Sequence, residues 1–217
     1  SVLCEKIGAI TVSDFRVRDM AAGGLGAPLV PYTEYILYSD PTRNVGLQNI
    51  GGIGNITILP AGGKLDDLTA FDTGPGNMLM DSVVSRITNG RLRYDAGGAI
   101  AASGKVSQEL LNELMKDPYL TKMPPKTTGR EYYGADFVDY IMKTGESLGL
   151  CGEDILATTT MFTAASIAHS LNHLCQPKPD RLIVGGGGSL NPTLMRMIAE
   201  CLPDVEVMTN EDLGLDS

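Results

Sequence analysis

Three runs of glycine, each set where an apolar stretch gives way to a polar one, restrict the fold of this chain most: Gly51-Gly52, Gly74-x-Gly76 and Gly185 to Gly188. Glycine accepts a positive φ and lets a ligand approach the backbone with no Cβ in the way. Arg43 to Pro60 reads as two strands joined by the first run into a hairpin. Leu68 to Phe71 is a third short strand. Asp72 to Asn77 leads it into a helix with Leu79, Val83, Val84 and Ile87 on one face and Gly90 as its stop. Arg181 to Val184 is a fourth strand, and the third glycine run follows it. Asn191 then caps a helix that begins at Pro192 and turns Leu194, Ile198 and Leu202 inward. Val205 to Met208 supplies one more strand. Hairpin, strand, helix, strand, helix, strand predicts an α/β domain, a mixed sheet with helices on its faces and a ligand site at strand ends.

The remaining segments fit around that frame. Ile7 to Val12 reads as a strand running into Ser13-Asp14-Phe15-Arg16, followed by a Gly- and Ala-rich turn from Ala21 to Pro28 and an amphipathic stretch from Tyr32 to Tyr38. A helix starts at Ser107, whose hydroxyl can cap it while Val106 staples onto Leu111; Leu110, Leu111, Leu114 and Met115 form its buried stripe. Further helices cover Ala135 to Leu148 and Glu153 to Leu174, so about 103–150 reads as a helical insertion in one domain spanning 1–217. At 217 residues the chain is long enough to bury roughly 70% of its unfolded surface.

Seventeen Lys and Arg against 26 Asp and Glu leave a net charge of −9, which disfavours nucleic acid and anionic membrane as partners. A small phosphorylated ligand stays open, because backbone N–H groups hold phosphate without net positive charge. The four cysteines lie far apart with no C-x-x-C, as suits reduced thiols in a cytoplasmic protein. No membrane span or signal peptide is evident. The chain opens at Ser1 rather than Met and reads as part of a longer protein.

Each candidate for chemistry has a plainer alternative beside it. A single glycine run can be a tight turn or close packing. Three at strand ends favour a nucleotide cradle, with helix N-termini behind two of them; neither a Walker A loop nor G-x-G-x-x-G is present. Asp72, at the end of its strand, could hold Mg²⁺ beside phosphate oxygens or could cap the following helix. Asp14 could be a general base or half of an ion pair with Arg16 or Arg18. Lys126 to Glu131, after Pro124-Pro125, presents hydroxyls and a guanidinium to a sugar or carboxylate, or forms a capped loop-to-helix junction. His169 and His173 have metal-pair spacing but no evident third ligand. No Ser-His-Asp order or G-x-S-x-G turn points to a hydrolase.

Taken together, Val12-Ser13-Asp14-Phe15-Arg16 with Ala22 to Leu29, Asn49-Ile50-Gly51-Gly52-Ile53-Gly54-Asn55, Phe71 to Asn77, Pro125 to Glu131 and Gly186 to Pro192 resemble the anhydro-N-acetylmuramic acid kinase family, with the levoglucosan kinases as relatives. The resemblance runs in order from about Ile7 to Gly214. It implies the actin-like sugar kinase fold, two ribonuclease H-like domains around an ATP cleft, of which this chain would be the second, C-terminal one. It also implies water attack on a 1,6-anhydro sugar with phosphorylation at O6, using ATP and Mg²⁺. Asp14 matches the general base. Gly51, Gly52, Asp72, Gly74, Gly76, Gly186, Gly187 and Asn191 match the wall for ATP and Mg²⁺, with Asp72 at the metal. Arg16, Thr128, Arg130, Glu131 and Asp212 fall on the sugar side. The family's G-T-S-x-D-G phosphate hairpin is not in this sequence, so the fragment is expected to be inactive alone. A non-catalytic sugar- or nucleotide-binding module is the competing reading, and a homodimer is an expected assembly.

Overall fold

A computed structural model describes residues 2–24, 26 and 30–214. Three short helices come first, α1 (Val2–Ile7), α2 (Phe15–Ala21) and α3 (Pro31–Tyr38). The predicted hairpin follows as β1 (Val45–Ile50) and β2 (Ile53–Leu59), then β3 (Thr69–Pro75) and α4 (Asn77–Ile87). Next come α5 (Ala99–Ser103), α6 (Gln108–Leu114), an irregular stretch and α7 (Ala135–Ser147). The long α8 (Gly152–His173) leads to β4 (Arg181–Gly185), α9 (Pro192–Cys201) and β5 (Glu206–Thr209).

The strands lie in the order β3-β2-β1-β4-β5. β1 pairs antiparallel with β2 and parallel with β4, β2 pairs antiparallel with β3, and β4 parallel with β5. The sheet is mixed, as the α/β expectation had it.

Period-two alternation sorts the strand residues into two faces. Ile50, Ile56, Ile58, Phe71, Leu182 and Val184 turn to one side, where α4, α8 and α9 build the main core. α8 is buried over most of its surface, and the hydroxyls of Thr158, Thr159 and Thr160 donate to carbonyls four residues back, so these three enter the core satisfied, whereas the buried Thr163 hydroxyl has no partner among the described residues. Val45, Leu47, Leu59 and Ile183 turn to the other side, against Tyr35 and Tyr38 of α3. Both faces carry helix, unequally.

Two expectations need correction. Ile7 to Val12 is not a strand: Ile7 ends α1 and the following residues form no ladder. An apolar run with no neighbour to take its backbone groups has nothing to hold it extended. β3 also continues beyond Phe71, because a bulge between Gly54 and Asn55 lets β2 go on pairing as far as Pro75. Asp72 therefore lies inside the strand, opposite Asn55, and not at its end.

Ser107 caps α6 as predicted, its hydroxyl accepting from the Leu110 N–H. Beyond α6 the irregular stretch is fastened by Asp117. Its buried carboxylate accepts from the hydroxyls of Tyr132 (2.5 Å) and Tyr133 (2.7 Å) and from the Tyr119 N–H.

Candidate functional site

The ends of β1, β3 and β4 bring the three glycine runs to one rim of the sheet. There the hairpin carbonyls cap α4: Gly51 accepts from the Asn77 N–H, and Gly52 from those of Gly76 and Met78. The first amides of α4 are thus already paired, and its N-terminus is not the open positive end expected behind the second run. Asn191 caps α9, its Oδ1 accepting from the Leu194 N–H at 3.0 Å.

The glycines at this rim are of two kinds. A methyl group at Gly76 would strike the Gly51 carbonyl, and one at Gly188 the Ile50 side chain. Gly74 has φ +147° and lies against Ser166, while Gly186 has φ +78° and lies against Asn49. Packing and backbone conformation account for all four. They do not account for Gly51 and Gly52, where the nearest atoms to an added Cβ stand 3.8 Å away, or for Gly187, where the nearest stands 3.4 Å away; none has a left-handed φ. These three glycines border open hollows. One, of 730 Å³, is lined by Gly51, Gly52, Asn77, Asp81, Arg86 and Arg130. Its neighbour, of 440 Å³, shares Asn77 and Asp81 and adds Gly187, Leu190 and Asn191. Backbone bared toward a hollow without a packing reason suits close approach by a bound group.

A second region lies on the α3 face. Asn49, Asn55 and Asp72 are lateral neighbours across β1, β2 and β3, forming a polar row that starts beside Gly186. Two hollows of 390 and 480 Å³ share Val30, Asn49, Asn55 and Thr57. The larger adds Arg16, Asp72, Lys126 and Thr128.

Asp72 is clamped by the loop beyond α6. Its N–H donates to the Lys126 carbonyl (3.2 Å), its carbonyl accepts from the Tyr119 hydroxyl (2.9 Å), and its Oδ2 accepts from the Thr128 N–H (2.9 Å). Burial pushes the carboxyl above its ordinary range, against the opposing effects of the Thr128 amide and the Lys126 charge. Lys126 is itself buried, its Nζ donating to the Tyr119 and Leu120 carbonyls and lying 4.5 Å from the Tyr119 ring centre. Burial brings its pKa down to about 8. The Thr128 Oγ1 is buried with no partner among the described residues. Asp72 does not cap α4, whose N-cap is Gly76.

No group of three or more His, Cys, Asp or Glu side chains able to hold a metal occurs among the described residues. A cation at Asp72 would have to complete its shell with phosphate oxygens and water, a habit that Mg²⁺ has and that one carboxylate fits.

The other sequence candidates are dispersed. Asp14 is exposed at the start of α2 with φ 59°, and it lines none of the five described hollows. It makes no ion pair with Arg16 or Arg18; the Arg16 guanidinium donates to the Gly26 carbonyl and borders the Asp72 hollow. Arg130 lies at the glycine rim instead of beside Asp72 and Thr128. Glu131 folds over Gly129. Asp212 accepts from the N–H and hydroxyl of Thr209, which hold its carboxyl below the usual range. The His169 and His173 rings lie 4.6 Å apart. Leu25, Ala27, Pro28 and Leu29 of the second motif lie outside the described residues.

Asn49, Asn55, Asn77 and Lys126 stand in the motifs quoted from the sequence but were given no role of their own, and Tyr119 was not singled out. For Asn49 a signal exists: it takes the α3-face position in a strand whose other positions there, Val45 and Leu47, are apolar. For Tyr119 none does.

A family model described as anhydro-N-acetylmuramic acid kinase matches residues 1–217. The chain belongs to that family. The anhydro-N-acetylmuramic acid kinase of Caldanaerobacter subterraneus subsp. tengcongensis is 53% identical over all of this chain and 55% of its own length. That of Clostridioides difficile is 46% identical over all of this chain and 56% of its own. The chain thus spans about half the length of the curated relatives it matches. Among solved structures, the activator of the 2-hydroxyisocaproyl-CoA dehydratase from Clostridium difficile with bound ADPNP aligns at 16% identity and TM-score 0.48, over 77% of this chain and 53% of that one. In this anhydro-N-acetylmuramic acid kinase family chain, the glycine rim and the Asp72 hollow flank the end of one hairpin, joined by Asn49.

Proposed function

We propose that this chain is one wall of an ATP-dependent kinase that opens a 1,6-anhydro sugar, 1,6-anhydro-N-acetylmuramic acid by family. The observation that carries the reading is the rim at which Gly51, Gly52 and Gly187 leave backbone bare toward two hollows without any packing need. A nucleotide bound there supplies the γ-phosphoryl group, and Mg²⁺ would neutralise charge as it transfers. The chain's own residues have narrower tasks. Gly51, Gly52 and Gly187 admit the nucleotide to the backbone, and Arg130 offers charge to its phosphates. Asp72, held by the Thr128 amide and the Lys126 loop, would hold the cation. Arg16 and Thr128, which border the hollow beside Asp72, are the candidates for sugar contacts.

Asp14 is assigned the general base on the family motif. It takes the proton of the water whose oxygen bonds the anomeric carbon; the bond from that carbon to O6 breaks, and O6 receives the phosphoryl group. Phosphoryl transfer rests mainly on positioning from both sides of a cleft, so these 217 residues alone should bind ligands with little turnover. The thiols of Cys151, Cys175 and Cys201, none of them in a disulfide, suit a cytoplasmic setting.

Calorimetry with ATP–Mg²⁺ and with the sugar, beside a coupled ADP-release assay, tests this. Nucleotide binding with negligible turnover is expected; no nucleotide binding would remove the kinase reading, and robust turnover would refute the claim of inactivity. The exposed position of Asp14 favours one competitor, a binding module without catalysis. Substituting Asp14 in the full-length kinase separates the two: loss of turnover with ligand binding retained supports the base.

A further inference from the structure

Asp81 has no partner where one would be expected. It lies one turn into α4, four residues after Asn77, and borders both rim hollows. Its side chain is half-buried, no hydrogen bond or ion pair among the described residues holds its carboxylate, and burial raises its pKa. Cations are near without being engaged by it. Arg86 pairs with Asp139 at 2.7 Å, while Arg130 and Arg93 each border one of the two hollows. A carboxylate drawn from water and left unpaired is costly, and a ligand carrying hydroxyl donors removes that cost.

The surroundings narrow the choice of donor. Arg130 and the bare backbone of Gly51 and Gly52 suit phosphate at one end of the larger hollow. A free metal ion is poorly placed at Asp81, because arginines line both hollows and the other acid there, Asp95, is already held by the Ile100 and Ala101 N–H groups. Neutral vicinal hydroxyls suit it well, since the two oxygens of a carboxylate can each accept one O–H.

Building on the nucleotide reading of the rim, we propose that Asp81 accepts the 2′- and 3′-hydroxyls of the nucleotide's ribose and makes the site selective for ribonucleotides. Asn77, on the same helix face, keeps its own amide on the Ile50 carbonyl at 3.2 Å and braces the rim. The sequence hid Asp81 because it falls on the outward side of an amphipathic helix, where a solvated acid is ordinary.

The test is calorimetric titration of the 217-residue chain with ATP and with 2′,3′-dideoxy-ATP, repeated on Asp81→Ala and Asp81→Asn. The wild-type chain should prefer ATP by roughly ten- to a hundredfold, the range for hydrogen bonds to a charged acceptor. In Asp81→Ala that ratio should fall to near one, with the dideoxy analogue bound as well as before or better, since a negative charge has gone. Equal wild-type affinity for the two nucleotides would overturn the proposal whether or not the variants fold. So would a preference that persists in Asp81→Ala. If no nucleotide binds at all, the reading of the rim fails first and this inference with it, a result distinct from binding without discrimination.

Discussion

Lys126 shows what a single buried charge does in this molecule. Its ammonium rests on two carbonyls and an aromatic face with no carboxylate in hydrogen-bond contact, and burial brings its pKa to about 8 from 10.5. Between those values the unfolded chain holds a proton that the folded chain has released, so this group makes stability rise with pH. Cys175 and Tyr132, both pushed up to about 12 by burial, act in the opposite sense, because their unfolded forms ionise first. The difference between wild type and Lys126→Met isolates the lysine. From about pH 8 to about pH 10 the wild type should gain roughly 1–2 kcal/mol on the variant, read from denaturant midpoints at each pH. A flat difference would mean that the amine is not desolvated. Asp72 has the reverse sign: its raised carboxyl favours the folded state in acid, an advantage lost as pH rises from 3.8 through its folded value. At this scale the sequence was only half legible. Asp72 and Thr128 were picked out from motif position and do share a hollow, whereas Lys126 and Tyr119 clamp that hollow through contacts that only the fold brings together.

The elements were more legible than the residues, because apolar periodicity, caps and glycine stops are written locally. The hairpin, α4, α6, α7, α8, β4, α9 and β5 all lie where spacing placed them. The failures have one kind of cause: β3 was cut short because a bulge in its partner cannot be seen from β3 itself, and Ile7 to Val12 was read as a strand because pairing is a tertiary fact. The glycine hairpin lets packing be separated from ligand approach. Gly52→Ala should leave stability within about 0.5 kcal/mol, as surface changes usually do, since only the Met78 side chain lies near, while weakening nucleotide binding at least severalfold. Gly76→Ala pushes a methyl group against the Gly51 carbonyl and should cost about 1–3 kcal/mol in thermal or denaturant unfolding. Equal stability of the two variants would undo the distinction on which the candidate site rests. In the stretch beyond α6, Asp117→Ala strands the buried Tyr133 hydroxyl and the buried Tyr119 N–H and releases the more exposed Tyr132 hydroxyl. A loss of about 3 kcal/mol or more is expected by denaturant titration, because each orphaned donor costs on the order of 1–3 kcal/mol.

Across the whole molecule the two faces of the sheet are unequally dressed. One carries α4, α8 and α9 over a continuous core, and the other carries α3 over four buried residues. α1, α2 and α3 contain no buried residue, and Val2, Leu3, Ile7, Phe15, Val17, Met20, Ile36 and Leu37 among them are exposed. Apolar side chains gathered at one end of a chain mark a surface that association would cover. Opposing this is a net charge of −9, which holds copies apart by repulsion that salt screens. The two effects have different dependences, and that makes the outcome specific. In sedimentation or light scattering the 217-residue chain should self-associate with rising concentration, and more strongly at high salt than at low. Replacing Phe15, Ile36 and Leu37 with serine should weaken the association without shifting the unfolding midpoint by more than about 1 kcal/mol, because exposed residues contribute little to folding. Association that salt weakens would point instead to charge pairing between copies, and a monomer at every concentration would mean that these helices cover one another in solution.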